Sequence, residues 1–171
     1  MNIEEAKTLL NQQLSIDESS FMAIYGDNDI DKKEIVKEIC DGYVVFYHKA
    51  LLNANKKKQL SWFVESIKKQ GVEIENNPTD WLEAFSYIRD FVKQSKDKRK
   101  IILIDEISLM DSKKSDLLMG LESFWNGFAY LRKDVVLIIC SSDVAWMESK
   151  IIYNIGGLYH RLNQQIYLET N

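Results

Sequence analysis

Proline, cysteine and histidine are scarce in this sequence of 171 residues, which has one proline, two cysteines and two histidines. A single proline and a hydrophobic fraction of 46% do not fit a disordered chain. Cys40 and Cys140 lack C-x-x-C spacing, so we expect reduced, buried thiols and no disulfide framework. His48 and His160 are isolated in the sequence and predict no metal cluster.

An excess of positive charge is also missing, because the formal net charge is −4. Without a global basic field, composition argues against DNA or RNA as a partner. Lysines do cluster at 56–58 and 96–100, but such runs are typical of solvated helix faces and loops. A nucleic-acid-associated module that uses these lysines is kept as an alternative.

Long apolar runs are absent as well, and none approaches the length of a membrane span. The first segment, "MNIEEAKTLLNQQL", is amphipathic and acidic, which excludes a secretory signal. We therefore expect a cytoplasmic protein with no membrane partner. The length suits one domain covering residues 1–171.

What the sequence does have is an alternation of helix and strand patterns. Helical periodicity runs through 3–14, 32–41, 56–71, about 80–94 and 113–133. Between these lie apolar runs typical of buried strands: "SFMAIYG", "YVVFYH", "KIILIDE", "DVVLIICSSD" and "QQIYLE". The alternation predicts an α/β protein, a three-layer α/β/α sandwich around a mostly parallel five-stranded sheet. Six aromatic residues at helical spacing are assigned to its core: Trp81, Phe85, Phe124, Trp125, Phe128 and Trp146.

The stretch "YGDNDIDKKEIV" (25–36) lies between a predicted strand and a predicted helix. A phosphate-binding loop has the pattern G-x-x-x-x-G-K-[ST], in which backbone N–H groups and the lysine hold phosphate and the hydroxyl holds Mg²⁺. Gly26 and Lys32 fit this pattern, whereas Asp31 replaces the second glycine and Lys33 replaces the hydroxyl residue. As a bare pattern the match is weak.

Polar residues follow two further predicted strands, where ligands bind in doubly wound sheets. Asp105 and Glu106 end "IILIDE", and Ser142 follows the next strand along the chain. In phosphate-binding enzymes such an acidic pair holds Mg²⁺ and activates the attacking water. The alternative interpretation of the pair is a solvated strand end.

Longer segments carry a resemblance to a known family. They are "FMAIYG", "NPTDWLEAF" (77–85), "IILIDEISLMD" (101–111), "GLESFWNGFAYLRKDVVLIICSSDVAWM" (120–147) and "NIGGLYHRL" (154–162). With them the chain resembles the AAA-like archaeal and bacterial P-loop ATPases that carry a C-terminal nuclease-like domain. The resemblance implies the P-loop NTPase fold and a Walker A loop built from Gly26, Asp31, Lys32 and Lys33. It covers the ATPase core only, because the lid, winged-helix and nuclease-like segments expected next do not follow Asn171.

The resemblance also implies roles for the other candidate residues. Asp105 corresponds to the Walker B acid that faces Mg²⁺, and Glu106 corresponds to the general base. Ser142 corresponds to the polar residue after the fourth strand. Arg161 follows "GGL" and is a candidate for contacting phosphate within the chain or in a neighbouring subunit, with a surface ion pair as the alternative.

The loop departs from the family, whose arginines are replaced by Asp27, Asn28 and Asp29. Each carboxylate near phosphate would cost on the order of 1–4 kcal/mol at 4 Å. Three could offset most of the roughly 8 kcal/mol of a micromolar affinity. We therefore predict a degenerate, non-hydrolysing binding or regulatory module that takes no cofactor and pairs with an intact ATPase paralogue or another protein.

The alternative hypothesis is a working domain that binds ATP and Mg²⁺ through Lys32, Asp105 and Glu106. As the start of a helix, however, the same loop has favourable capping residues. Asp31 is a favoured N-cap, and Glu34 three residues later completes a capping-box pattern. We predict that the acidic loop fills the nucleotide site from within.

Overall fold

The architecture is taken from a computed structural model that describes residues 1–40 and 43–170. The elements follow in the order α1 (Ile3–Leu14), β1 (Ser20–Gly26), α2 (Lys32–Cys40), β2 (Val44–Lys49), α3 (Lys56–Lys68), α4 (Trp81–Gln94), β3 (Lys100–Asp105), α5 (Leu117–Gly127), β4 (Val135–Ser141), α6 (Val144–Met147) and β5 (Gln164–Leu168). None of the helices in these two ranges is long and apolar enough to span a membrane.

The five strands form one parallel sheet in the order β2-β3-β4-β1-β5. The predicted α/β class and five-stranded sheet are thus confirmed. Because all strands run in the same direction, their carboxyl ends meet at one edge of the sheet and their amino ends at the other. We call these the carboxyl edge and the amino edge.

Each face of the sheet packs against its own helices, which gives the predicted three layers. Side chains alternate along a strand, so that in β1 Phe21 and Ala23 face one layer while Met22 and Ile24 face the other. The Phe21 face carries α3, α4 and α5 and holds the large buried aromatics Phe63, Trp81, Phe85, Phe124 and Trp125. The opposite face carries α1 and α2 and is mainly aliphatic. The predicted core positions of Trp81, Phe85, Phe124 and Trp125 are confirmed, whereas Phe128 and Trp146 are partly buried and pack against the core.

Local signals in the sequence account for several helix starts. Asn2 and Glu5 form a capping box at the start of α1, and the Asp80 side chain accepts a hydrogen bond from Glu83 N at the start of α4. These caps satisfy N–H groups that have no partner within the helix.

Two predicted helices are longer than the structure has them. The helix predicted over 56–71 ends at Lys68, and Gly71 lies in the turn that follows with a φ of 87°. The helix predicted over 113–133 is limited to Leu117–Gly127, because Phe128 leaves the helical region at φ −144° and a short 3₁₀ turn follows. Apolar periodicity continues across this break and hides it in the sequence. The last residue of the helix predicted over 32–41 lies outside the described residues.

Candidate functional site

A cavity of about 210 Å³ lies at the carboxyl edge, where the sequence predicts a site. Strands β3, β4 and β1 are neighbours in the sheet, so the residues that follow them come together. The cavity is lined by residues 28–33 of the loop and by Lys49, Asp105, Glu106 and Ser142. Of the eight predicted site residues, the seven that belong to the loop, the acidic pair and the strand end are therefore gathered at this edge: six line the cavity, and Gly26 begins the loop.

Gly26 ends β1 in a conformation that glycine alone adopts easily, with a φ of 138°. It pairs with Leu168 of β5, and a Cβ atom at this position would collide with the Leu168 carbonyl oxygen. The glycine lets β1 approach β5 closely while the chain turns into the loop.

Lys32 starts α2 and is buried, with 3% of its surface exposed. Its Nζ donates to the Asp27 carbonyl oxygen at 2.9 Å and to the Ser142 hydroxyl at 3.2 Å, with a longer contact of 3.5 Å to the Ile30 carbonyl oxygen. The ammonium group that would neutralise phosphate is thus held by the loop's own carbonyl groups.

The acidic loop residues have different roles. Asp31 Oδ1 accepts from Glu34 N at 3.0 Å, which is the predicted N-cap. Asp27 binds away from the cavity, since its Oδ2 accepts from the backbone N–H and the hydroxyl of Thr170, and these bonds lower its pKa. Asp29 and Asp31 line the cavity, whereas Asp27 does not. The loop therefore caps its helix and tethers the chain after β5, but a cavity remains beside it.

Lys33 lies where the phosphate-loop pattern has a hydroxyl. Its Nζ is 6.0 Å from the centroid of the Tyr47 ring of β2, and Lys37 Nζ lies 4.9 Å from the same centroid. Such cation–π contacts draw the ammonium groups towards the aromatic face. Position 33 thus supplies a second cation and no metal-binding oxygen.

Asp105 ends β3 and is 8% exposed. Its Oδ2 accepts a hydrogen bond from the Tyr47 hydroxyl at 3.3 Å. Burial raises the pKa of the Asp105 carboxyl, and the neighbouring Glu106 raises it further, while Lys49 and the Tyr47 bond oppose the shift. The same neighbourhood raises the pKa of Tyr47, mainly through burial and then through the charge of Asp105.

Glu106 follows β3 in the left-handed region, with φ 54° and ψ 45°. This uncommon conformation for a residue with a side chain turns the carboxylate across to β4. Glu106 Oε1 accepts from the Ser142 hydroxyl at 2.7 Å, and Oε2 accepts from Ser142 N at 3.2 Å. Lys32, Ser142 and Glu106 thereby form one chain of hydrogen bonds.

Arg161 does not lie at the carboxyl edge with the other candidate residues. It precedes β5 and therefore lies at the amino edge. It lines a separate cavity of about 370 Å³ together with Ser19 and Lys133, which precede β1 and β4, and its guanidinium lies 5.3 Å from the centroid of Tyr130. The fold therefore does not bring Arg161 to the loop of its own chain. The alternative contact, with a neighbouring subunit, stays a prediction.

Three residues of the site were missed in the sequence: Tyr47, Lys49 and Thr170. The β2–β3 register places Lys49 opposite Asp105, and the β5–β1 pairing brings Thr170 to Asp27. The cue in the sequence was that "YVVFYH" runs into Lys49, a polar strand end like those of β3 and β4. Strand order alone decides that it lies next to Asp105.

The formal charges of the cavity lining do not favour a polyanion such as ATP. Among the cavity-lining side chains are Lys32, Lys33 and Lys49 as cations, and Asp29, Asp31, Asp105 and Glu106 as carboxylates. With all seven ionised, the lining carries one net negative charge and faces a polyanion unfavourably. Within residues 1–40 and 43–170, no group of three or more His, Cys, Asp or Glu side chains could hold a metal ion.

No family model matches the sequence, and no curated protein matches it. Solved structures do share its fold. One is the Walker-type ATPase PABY2304 of Pyrococcus abyssi, with 14% identity, a TM-score of 0.62, and coverage of 97% of this chain and 53% of that one. Another is Cdc6p from Pyrobaculum aerophilum, with 11% identity, a TM-score of 0.62, and coverage of 96% and 43%.

A third is the Aeropyrum pernix ORC1 protein in complex with DNA, with 14% identity, a TM-score of 0.62, and coverage of 98% of this chain and 44% of that one. This chain thus spans about half the length of these proteins. At such identities the likeness establishes the fold alone, a P-loop NTPase-like α/β fold with a parallel five-stranded sheet. The resemblance to the family whose members carry a C-terminal nuclease-like domain, and the degenerate character of the loop, stay predictions.

Proposed function

We propose that this chain is a P-loop NTPase-like domain that does not hydrolyse ATP and acts as a binding or regulatory module. Its fold is that of ATPases, and its loop, acidic pair and strand-end serine occupy the corresponding edge of the sheet. What differs is the chemistry of the loop. The function therefore resides in contacts with other macromolecules and not in phosphate transfer.

One observation carries this proposal: the groups that would hold phosphate already have partners within the loop. Asp31 Oδ1 accepts from Glu34 N at the start of α2, and Lys32 Nζ donates to the Asp27 carbonyl oxygen. A helix N-terminus holds an anion through free N–H groups and its positive dipole end. Here a carboxylate of the protein takes that place, so ATP would have to displace it.

The competing function is a working ATPase. The buried position of Lys32 and the hydrogen-bonded pair of Glu106 and Ser142 favour it, because these residues lie where the resemblance implies their roles. Both functions are compatible with an intact ATPase paralogue as partner, contacted through the amino edge around Arg161.

Isothermal titration with Mg-ATP distinguishes the two functions. We expect no measurable binding by the wild-type chain at ATP concentrations up to about 1 mM. A dissociation constant of that size corresponds to a binding free energy of about 4 kcal/mol. The double variant Asp31→Gly, Lys33→Thr restores the glycine and the hydroxyl. It should bind at least about 100-fold more tightly, since it removes one carboxylate and adds a magnesium ligand.

A matched control makes the same two chemical changes at exposed positions away from the site, Asp97→Gly with Lys113→Thr. This control should bind no better than the wild type. Low-micromolar binding of Mg-ATP by the wild type would overturn the proposal. No gain in the Asp31→Gly, Lys33→Thr variant would show that the loop residues are not what prevents binding.

DNA association is a second candidate, because the Aeropyrum ORC1 protein and a Drosophila ORC are described bound to DNA. The exposed lysines at 57–58 would supply phosphate contacts. A mobility-shift titration tests this, since binding through phosphates must weaken steeply as salt is raised.

A further inference from the structure

A continuous groove runs along the outer side of β2 and the exposed face of α3, next to the candidate site at the carboxyl edge. Within the described ranges, β2 is the last strand at its end of the sheet and pairs only with β3. One cavity of about 480 Å³ lies between β2 and α3, and a second of about 430 Å³ continues along α3. The two share Leu51 and Trp62 in their walls.

The free side of β2 presents backbone groups that can pair with another strand. Ala50 N donates to the Asp105 carbonyl oxygen and so faces β3. Backbone groups of alternate residues point to opposite sides of a strand, which directs those of Lys49 and Tyr47 outward. Trp62 Nε1 donates to the Lys49 carbonyl oxygen at 2.9 Å, in agreement with this direction. An added strand therefore pairs with the outward groups of Tyr47 and displaces this bond if it extends to Lys49. An open strand edge of this kind is a template for strand addition.

The groove combines apolar walls with a basic rim. Val44, Val45, Leu51 and Trp62 line it, and Trp62 remains 42% exposed. Four lysines line the same two cavities: Lys49, Lys57, Lys58 and Lys69. Glu65 is the one acid in these walls within the described residues, although the chain as a whole has a net charge of −4. This local excess of positive charge complements an acidic ligand.

We propose that this groove binds an extended acidic peptide segment of a partner protein, in which acidic and β-branched apolar residues alternate. The segment adds to the free edge of β2 by main-chain hydrogen bonds, which supply affinity. One face of the added strand places its apolar side chains against Leu51 and Trp62. Its acidic side chains point to the opposite face of the strand, the face on which Lys49 lies. The lysines of α3 add a positive field around the groove.

Single-stranded nucleic acid fits the same groove less well. Binding of bases requires aromatic faces that are free to stack. Of the two aromatic side chains in the walls, Tyr47 is already held by its bond to Asp105 and lies under the ammonium of Lys37. This leaves Trp62 as a single face for stacking. The pairing groups of a strand edge also have no counterpart in a nucleic acid backbone.

The groove adjoins the candidate site through two residues. Lys49 lines both the groove and the carboxyl-edge cavity, and Tyr47 lines the groove while its hydroxyl binds Asp105. A peptide carboxylate near Lys49 would compete with Asp105 for the same cation. Binding of the peptide would therefore change the electrostatic surroundings of Asp105 and Glu106, whether or not these residues bind nucleotide.

The test uses a fluorescein-labelled peptide of four Glu-Val repeats, with fluorescence polarisation as the readout. We expect saturable binding of this peptide and little binding of the matched Lys-Val peptide. The variant Lys57→Glu, Lys58→Glu, Lys69→Glu should bind the Glu-Val peptide about tenfold more weakly, since it replaces three positive charges at the rim of the groove with negative ones. Amide hydrogen exchange in β2 should slow in the complex, as strand addition requires.

The matched control, Lys96→Glu, Lys98→Glu, Lys113→Glu, makes the same change of charge at exposed lysines outside the groove and should keep wild-type affinity. A labelled single strand of twenty thymidines tests the alternative that the groove binds nucleic acid. The proposal is overturned if the Glu-Val peptide does not bind, if the Lys-Val peptide binds as well, or if β2 exchange is unchanged. Tighter binding of the oligonucleotide, with displacement of the peptide, would overturn it in favour of nucleic acid.

Discussion

Two aspartates, Asp105 at the carboxyl edge of the sheet and Asp134 at the amino edge, lie in contrasting surroundings. Asp134 accepts from Arg132 Nε at 2.8 Å, from Arg132 Nη2 at 2.9 Å and from Lys100 Nζ at 2.9 Å. These bonds lower its pKa to about 2. Asp105 has one side-chain donor, Tyr47, and its pKa is raised by burial and by Glu106.

The contrast distinguishes carboxylates that stabilise the fold, such as Asp134, from carboxylates that are available for function, such as Asp105. At the amino edge, cations surround the carboxylate and stabilise its ionised form. At the carboxyl edge, carboxylates are crowded beside lysines that are already hydrogen bonded or shared. Incompletely compensated charges in a cavity are typical of functional sites. The predictions below test this contrast, from the largest expected effect to the smallest.

The largest effect is expected at the carboxyl edge for Gly26→Ala. The added methyl group would collide with the Leu168 carbonyl oxygen and would also require an unfavourable φ of 138°. We expect a loss of about 3–5 kcal/mol in the free energy of unfolding, from overpacking and backbone strain together. Urea denaturation measures it.

Gly71→Ala is the matched control, because Gly71 also has a positive φ, 87°, but nothing lies within 4 Å of its added Cβ. It should lose only about 1 kcal/mol, the cost of the backbone conformation alone. Equal losses in the two variants would show that the approach of β1 to β5 is not what requires glycine.

The next effect concerns pH and His48 in β2. Its Nδ1 lies 2.8 Å from the Ser66 hydroxyl, its Nε2 has no partner among the described residues, and burial lowers its pKa to about 3. Below about pH 6.5 the unfolded chain binds a proton that the folded chain does not, so stability falls as pH falls from 6.5 towards 3. From pH 7 to pH 5 the loss should be about 2 kcal/mol.

Denaturation at pH 7 and pH 5 measures this loss. His48→Gln should flatten the dependence whatever its effect at pH 7, and His160→Gln, at an exposed position, should leave the slope unchanged. A wild-type stability that is constant between these pH values would contradict the prediction.

A smaller effect is expected at the amino edge for Asp134→Asn. The substitution leaves Lys100, whose side chain is 10% exposed, without its carboxylate. We expect a loss of about 1–2 kcal/mol at pH 7, reduced from that of a fully buried pair because solvent screens Asp134. A depressed pKa contributes stability above the unfolded value near 4 that is lost as pH falls towards 2. The variant should lack that acid-sensitive loss in thermal melts.

The smallest effect, of opposite sign, is expected for Asp105→Asn. Asparagine can still accept from the Tyr47 hydroxyl, and the change removes a buried charge beside Glu106. Stability should rise by up to about 1 kcal/mol, since a functional charge is kept at a cost to the fold. A loss as large as that of Asp134→Asn would remove the distinction between the two edges.

The fold was largely predictable, because its signals are local. The continuous apolar character of β1, β3 and β4 and the helical spacing in α1 and α4 predict these elements within one or two residues. The end of α5 was not predictable, since apolar residues continue past Phe128 and only its backbone angles end the helix.

The part of the candidate site that lies at the ends of the strands was predictable from the sequence. Gly26, Asp105, Glu106 and Ser142 each follow or end an apolar run, and parallel strands must place such residues at one edge. Lys32 was predicted from its spacing to Gly26 in the loop pattern. The sequence by itself therefore determined the sheet, the loop and the acidic character of that loop.

The tertiary structure alone decided which charges meet. Strand order places Lys49 beside Asp105, turns Asp27 to Thr170 and leaves Arg161 at the opposite edge. These pairings join residues far apart in the chain, and no spacing or periodicity encodes them. The physical reason is that periodicity reports which face of an element is buried, whereas the neighbours of a charge depend on how whole elements pack.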